Sequence, residues 1–98
     1  MMKAITLNEV INEKLKDDEF SIYYEEELIK NKIARTIVEL RQKNGLTQEE
    51  LAQKAHTTQP VIARLERGSD SRIPSLQLLH RIAHALGQNM FINFRTSN

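Results

Sequence analysis

The sequence predicts an all-α domain of about five helices, preceded by an acidic helical arm and closed by one short β-strand. Three observations carry this. Apolar residues recur at helical spacing through most of the chain, from Leu7 to Leu86. Capping signals divide them, with Thr6/Glu9, Thr47/Glu50 and Pro74-Ser75 at starts and Asn44-Gly45 and Gly87 at ends. Finally, Met90, Ile92 and Phe94 alternate with Phe91, Asn93 and Arg95, the period of two that marks a strand.

Taken in order, Thr6 and Glu9 form a capping box, Ile5 and Val10 can staple it, and Leu7, Val10, Ile11 and Leu15 make residues 7–16 an amphipathic helix. Asp17 or Asp18 caps a second helix to about residue 27, in which Phe20 and Tyr24 share a face. Ile33, Ile37 and Leu40 mark a third, ending at Asn44-Gly45. The apolar stripe slips in phase between Leu28 and Ile33, which leaves the boundary between residues 27 and 33 open.

Residues 46–68, LTQEELAQKAHTTQPVIARLERG, carry the densest signal. Thr47 and Glu50 form a capping box, and Leu51, Ala52 and Ala55 give the first helix an apolar face. His56-Thr57-Thr58 forms a turn, with Thr58 placed to cap the next helix. There Ile62 and Leu65 point inward, leaving Gln59, Pro60, Ala63, Arg64 and Arg67 outward. Two short helices joined by such a turn read as a helix-turn-helix, which presents its second helix to DNA. Gly68-Ser69-Asp70-Ser71 is a loop, and Pro74-Ser75 opens a helix carrying Leu78, Leu79, Ile82, Ala83 and Leu86. The final strand needs a partner for its backbone groups, either the same strand of a second copy or an edge on another protein. Met90, Phe91, Ile92 and Phe94 are the expected dimerisation residues.

Net charge is only +1, but it is divided. Residues 1–30 hold eight acidic and four basic side chains; residues 31–98 hold five acidic and ten basic. That division suggests two units, an acidic arm (1–30) for a basic partner and a basic helix-turn-helix body (31–98) for phosphates. Cysteine is absent, which excludes disulfide frameworks and thiolate metal sites. No apolar run has the length of a membrane span and the first residues lack a signal-peptide core, so a cytoplasmic protein is expected.

Leu46-Thr47-Gln48, Glu50-Leu51-Ala52, Thr58-Gln59, Ile62 and Leu65-Glu66-Arg67-Gly68 together resemble the phage-repressor-like, or XRE, helix-turn-helix family. The resemblance continues through Pro74-Ser75-Leu76 and Arg81-Ile82-Ala83 to Ala85-Leu86-Gly87, about two-thirds of the chain. His56 stands where glycine is usual, and Pro60 where relatives often carry a base-reading side chain. The resemblance implies that Gln48 holds a phosphate, that Gln59 and Arg64 read base edges, and that Thr57, Thr58 and Arg67 contact phosphates. Arg72 would meet the backbone or minor groove, with Pro60 and Ala63 completing the DNA-facing set. Glu66 is implied to be structural, with Arg41 as its candidate partner.

Tyr23 and Tyr24 beside Glu25-Glu26-Glu27 admit two readings. One tyrosine can join Phe20 in a core while the acids face water; or Phe20, Tyr23, Tyr24 and the three glutamates can grip a basic protein. An acidic helical arm followed by LTQEELA, a PSL helix and a final apolar strand looks like the HigA-type antitoxins. That resemblance implies a homodimer that neutralises a basic RelE/HigB-like messenger-RNA endonuclease and represses its own operon at a palindromic, double-stranded operator. A stand-alone XRE-type repressor is the alternative. His80 and His84, four apart, could share a metal, but no third ligand accompanies them. No nucleophile triad or phosphate-cradling glycine loop is present, so neither an enzyme nor a cofactor is expected.

Overall fold

The computed structural model describes residue 9 and residues 17–96. Among them are four α-helices and no strand: α1 (Asp18–Lys43), α2 (Gln48–Lys54), α3 (Gln59–Arg67) and α4 (Leu76–Ala85). The expected helix over 7–16 lies outside the described residues apart from Glu9.

Two expectations are corrected. The second and third expected helices are one, a 26-residue α1 whose N-cap Asp17 accepts from the backbone N–H of Phe20. The slip in its apolar stripe is not a break. None of residues 18–29 is buried, whereas Lys30, Ala34 and Ile37 are, so the slip marks where the helix enters the body and acquires a core-facing side. A helix of this length spans roughly 39 Å, long enough to leave the core behind.

The second correction concerns the end of the chain. Residues 88–96 form no β-ladder, so among the described residues the fold is four helices without a strand, not the expected five helices and a strand. An extended segment becomes a strand only against a neighbour that takes its N–H and C=O groups, and the described chain supplies no second one. Only Met90 is half-buried; Phe91 and Phe94 are 85% and 92% exposed.

The core joins all four helices. Ile37 from α1 meets Leu51, Ala52 and Ala55 from α2, Ile62 and Leu65 from α3, and Ile82 and Leu86 at α4. Leu51, Ile62 and Ile82 are its largest fully buried side chains. Ala52 and Ala55 let α3 approach α2 closely, which sets the short, angled pair. The turn between them closes as a Schellman motif: Thr57 N–H donates to the Ala52 carbonyl at 2.9 Å and His56 N–H to that of Gln53 at 3.2 Å. His56 occupies the left-handed position at φ 56°, as expected for the residue standing in for glycine.

Capping matches expectation at Thr47 and departs from it at Thr58. Thr47 and Glu50 exchange both bonds of the capping box, whereas Thr58 is the N-cap of α3 without its hydroxyl bonding the helix. Pro60 in the first turn of α3 removes an N–H that the helix does not need there. The Thr47 backbone and hydroxyl bonds, in that order, hold the Glu50 carboxyl below its usual range. A lowered folded-state value stabilises above the unfolded value, and that contribution is lost as pH falls through the folded one. Acid should therefore loosen the start of α2 in the native chain, and Glu50→Gln should flatten that dependence in pH-resolved hydrogen exchange. An unchanged profile in the variant would rule the capping box out as its source.

Candidate nucleic-acid interface

The α3 helix is two-sided because its apolar positions fall three apart. Ile62 and Leu65 are 0% and 4% exposed, while Gln59, Pro60, Arg64 and Arg67 face out and Ala63 is half-buried. The expected DNA-facing row thus lies on one surface, continued by Thr57 and Thr58 before the helix and by exposed Arg72 beyond it. Gly68 ends α3 at φ 65°, where a Cβ would come within 3.1 Å of Asn31 Oδ1. The left-handed turn favours glycine there, and any larger residue would also push the exposed Asn31 side chain aside by a few tenths of an ångström.

Four side chains form a chain of hydrogen bonds beneath this row. Gln59 Nε2 donates to Gln48 Oε1 at 2.8 Å, and Gln48 Nε2 donates to Glu66 Oε1 at 3.0 Å. Arg41 donates to both oxygens of Glu66, through Nε at 2.7 Å and Nη2 at 2.9 Å, and through Nη1 to the Leu46 carbonyl at 2.8 Å. Two parallel bonds between a planar guanidinium and a carboxylate fix orientation as well as distance. The Glu66 hydrogen bond, opposed by partial burial, raises the Arg41 pKa further. The Gln59 amide is consequently held at the start of α3 with one N–H used on Gln48 and its carbonyl oxygen and second N–H free to meet a base edge. The sequence pairs Arg41 with Glu66 through resemblance, but it does not reveal that Gln48 and Gln59 hang from the same carboxylate.

A second link, missed in the sequence, ties α1 to the end of α3. Lys30 is 8% exposed, and its Nζ donates to the Asp70 carbonyl at 2.9 Å while lying 2.6 Å from Glu27 Oε1. A buried ammonium requires such partners, and they pin the loop after α3 to the long helix. In the same loop Asp70 Oδ1 lies 4.0 Å from Nε of the exposed Arg64. The only signal available beforehand was a lysine at the junction where the apolar stripe shifts.

The expected partner-binding residues lie on the first half of α1, where Glu27 connects through Lys30 to the loop after α3. Phe20 and Tyr24 stack at 6.4 Å with an interplanar angle of 14°, so they do share a face. Tyr23 is 61% exposed, Glu25 and Glu26 are exposed, and Glu27 is the carboxylate that pairs with Lys30. Among the described residues no set of side chains is arranged to hold a metal ion, and no helix is long and apolar enough to cross a membrane.

Comparison with known proteins agrees with this geometry. A family profile described as Helix-turn-helix matches residues 37–91. An uncharacterised HTH-type transcriptional regulator of Methanothermobacter thermautotrophicus is 53% identical over 55 residues, which cover 55% of this chain and 77% of that protein. The chain belongs to the helix-turn-helix family, of the XRE type, a family of DNA-binding transcriptional regulators.

Proposed function

We propose that the chain is a dimeric, operator-specific repressor whose acidic arm holds a basic protein, as a HigA-type antitoxin does with its endonuclease toxin. The observation that carries the DNA half is the Gln59 amide held outward on Gln48 above the Arg41–Glu66 pair. Gln59 is assigned to an adenine edge and Arg64 to a guanine edge; Gln48, Thr57, Thr58, Arg67 and Arg72 are assigned to phosphates. One reader covers only a few base pairs, so a second copy is required for an operator. The exposed Phe91, Ile92 and Phe94 are the pairing surface assigned to it. They adjoin an apolar cleft of about 380 Å3 that Ile33, Ile37, Leu79 and Met90 help to line. One chain carrying both knob and hollow fits a two-fold pair.

Selection from a random duplex library should yield a palindrome, with two protected half-sites about 34 Å apart. Arg64→Ala should weaken binding to it by about 1–3 kcal/mol and relax preference at one base pair per half-site. Equal weakening on all sequences would make Arg64 a phosphate contact instead.

For the arm, Ile22, Glu26 and Ile29 share a face of α1 and are all exposed, with Tyr23 and Glu25 alongside. This mixture of carboxylates and apolar surface suits a basic protein with apolar contacts. Reversing Glu25 and Glu26 to lysine should abolish neutralisation of a co-expressed basic endonuclease while leaving operator affinity intact. Full neutralisation by that variant would take the partner surface away from the arm. The stand-alone repressor remains the second reading, favoured by the regulator that shares 53% identity with this chain.

A further inference from the structure

The two histidines of α4 are joined in space by groups the sequence keeps apart. His80, Arg81 and His84 line a hollow of about 240 Å3 together with Lys54, the last residue of α2, and His56 of the turn. Every residue lining it is cationic or an imidazole, and no carboxylate does so. Residues 71–98 contain no Asp or Glu, and Glu50, one turn before Lys54 and attracted to its ammonium, does not line the hollow. Arg81 Nε is buried without a hydrogen-bond partner. Helix C-termini attract cations, which accounts for Lys54 and His84 individually. It does not account for a mid-helix guanidinium left unpaired among four more basic groups. A metal would sit beside an ammonium and a guanidinium, so the charge of the hollow selects an anion.

We propose that this hollow is a binding site for a phosphate group. Arg81 supplies a planar donor fork, Lys54 a point charge, and the three imidazoles ring N–H donors. The hollow lies at the end of α2 remote from the Gln48–Gln59 pair, roughly 9 Å along the helix axis. The phosphate could belong to the DNA backbone beyond the groove or to a free phosphate-bearing small molecule; the recognition chemistry is the same. The site does not depend on what the arm holds.

Pyrophosphate titrated into the whole chain at constant ionic strength tests it, read by nuclear magnetic resonance at the imidazoles and at Arg81 Nε–H. The three histidines and Arg81 should shift together along one saturable curve. Lys54→Gln and His84→Gln, both at exposed positions, should each weaken it roughly tenfold. Non-saturating shifts, or the same shifts with chloride, would mean screening only and overturn the site. A short random-sequence duplex then separates the sources. Competition with pyrophosphate, and a salt slope lowered by about one in Lys54→Gln, identifies backbone phosphate. Undiminished pyrophosphate binding to the DNA-bound protein identifies a free ligand.

Discussion

Glu66→Ala should lose stability and operator binding together. The Glu66 side chain is 6% exposed and that of Arg41 15%, so removing the carboxylate strands a largely buried guanidinium. Breaking such a pair costs about 3 kcal/mol, readable as a lowered urea midpoint. Gln48 loses its acceptor in the same step, and the Gln59 amide loses its anchor. Operator affinity should therefore fall roughly tenfold beyond what partial unfolding explains. The double variant Arg41→Met with Glu66→Leu separates the two effects. An apolar pair of similar volume should recover most of the stability, as buried ion pairs often permit, but not the affinity. Recovery of both would mean that the carboxylate matters only as filler and that Gln59 is positioned some other way.

Leu51→Ala should be the most damaging single change in the core, at about 3–4 kcal/mol. Leu51 is 0% exposed and belongs to α2, the helix that packs against both α3 and α4. Truncation leaves a cavity where three elements meet, and α2 has only seven residues with which to close it. Leu51→Met should cost less than about 1.5 kcal/mol because volume is kept. Chemical denaturation of both variants checks the pair of values. Equal losses would show that shape rather than volume governs the site.

Legibility in the sequence followed the range of the interactions involved. The capping box at Thr47, the left-handed His56, the start of α3 around Pro60 and the end of α1 at Asn44-Gly45 all depend on residues within a few positions of each other. They were readable for that reason. Thr58 was the local exception, an N-cap whose hydroxyl leaves the helix unbonded. The inward and outward sides of α3 were equally plain, because Ile62 and Leu65 fix the phase of a short helix. The phase slip before Ile33 marks the entry of one continuous helix into the core, not a boundary between two helices. A helix that leaves its core has no buried side to keep in register, so its pattern drifts without any break. The terminal strand failed for the opposite reason. Alternation at Met90–Phe94 describes which residues could line one face, but a ladder requires a second strand.

Residues 37–91 by themselves determined the helix-turn-helix family, its helix boundaries within the motif and the row of side chains turned outward, since each follows from periodicity, capping and the order of polar residues. Only the tertiary structure decided how those side chains are held. Gln59 rests on Gln48 and Glu66 across α2 and α3, Lys30 reaches the Asp70 carbonyl forty positions away, and Lys54 and His56 join His80, Arg81 and His84 around one hollow. Such contacts arise where helices cross, and spacing along one helix carries no record of what another brings to the crossing.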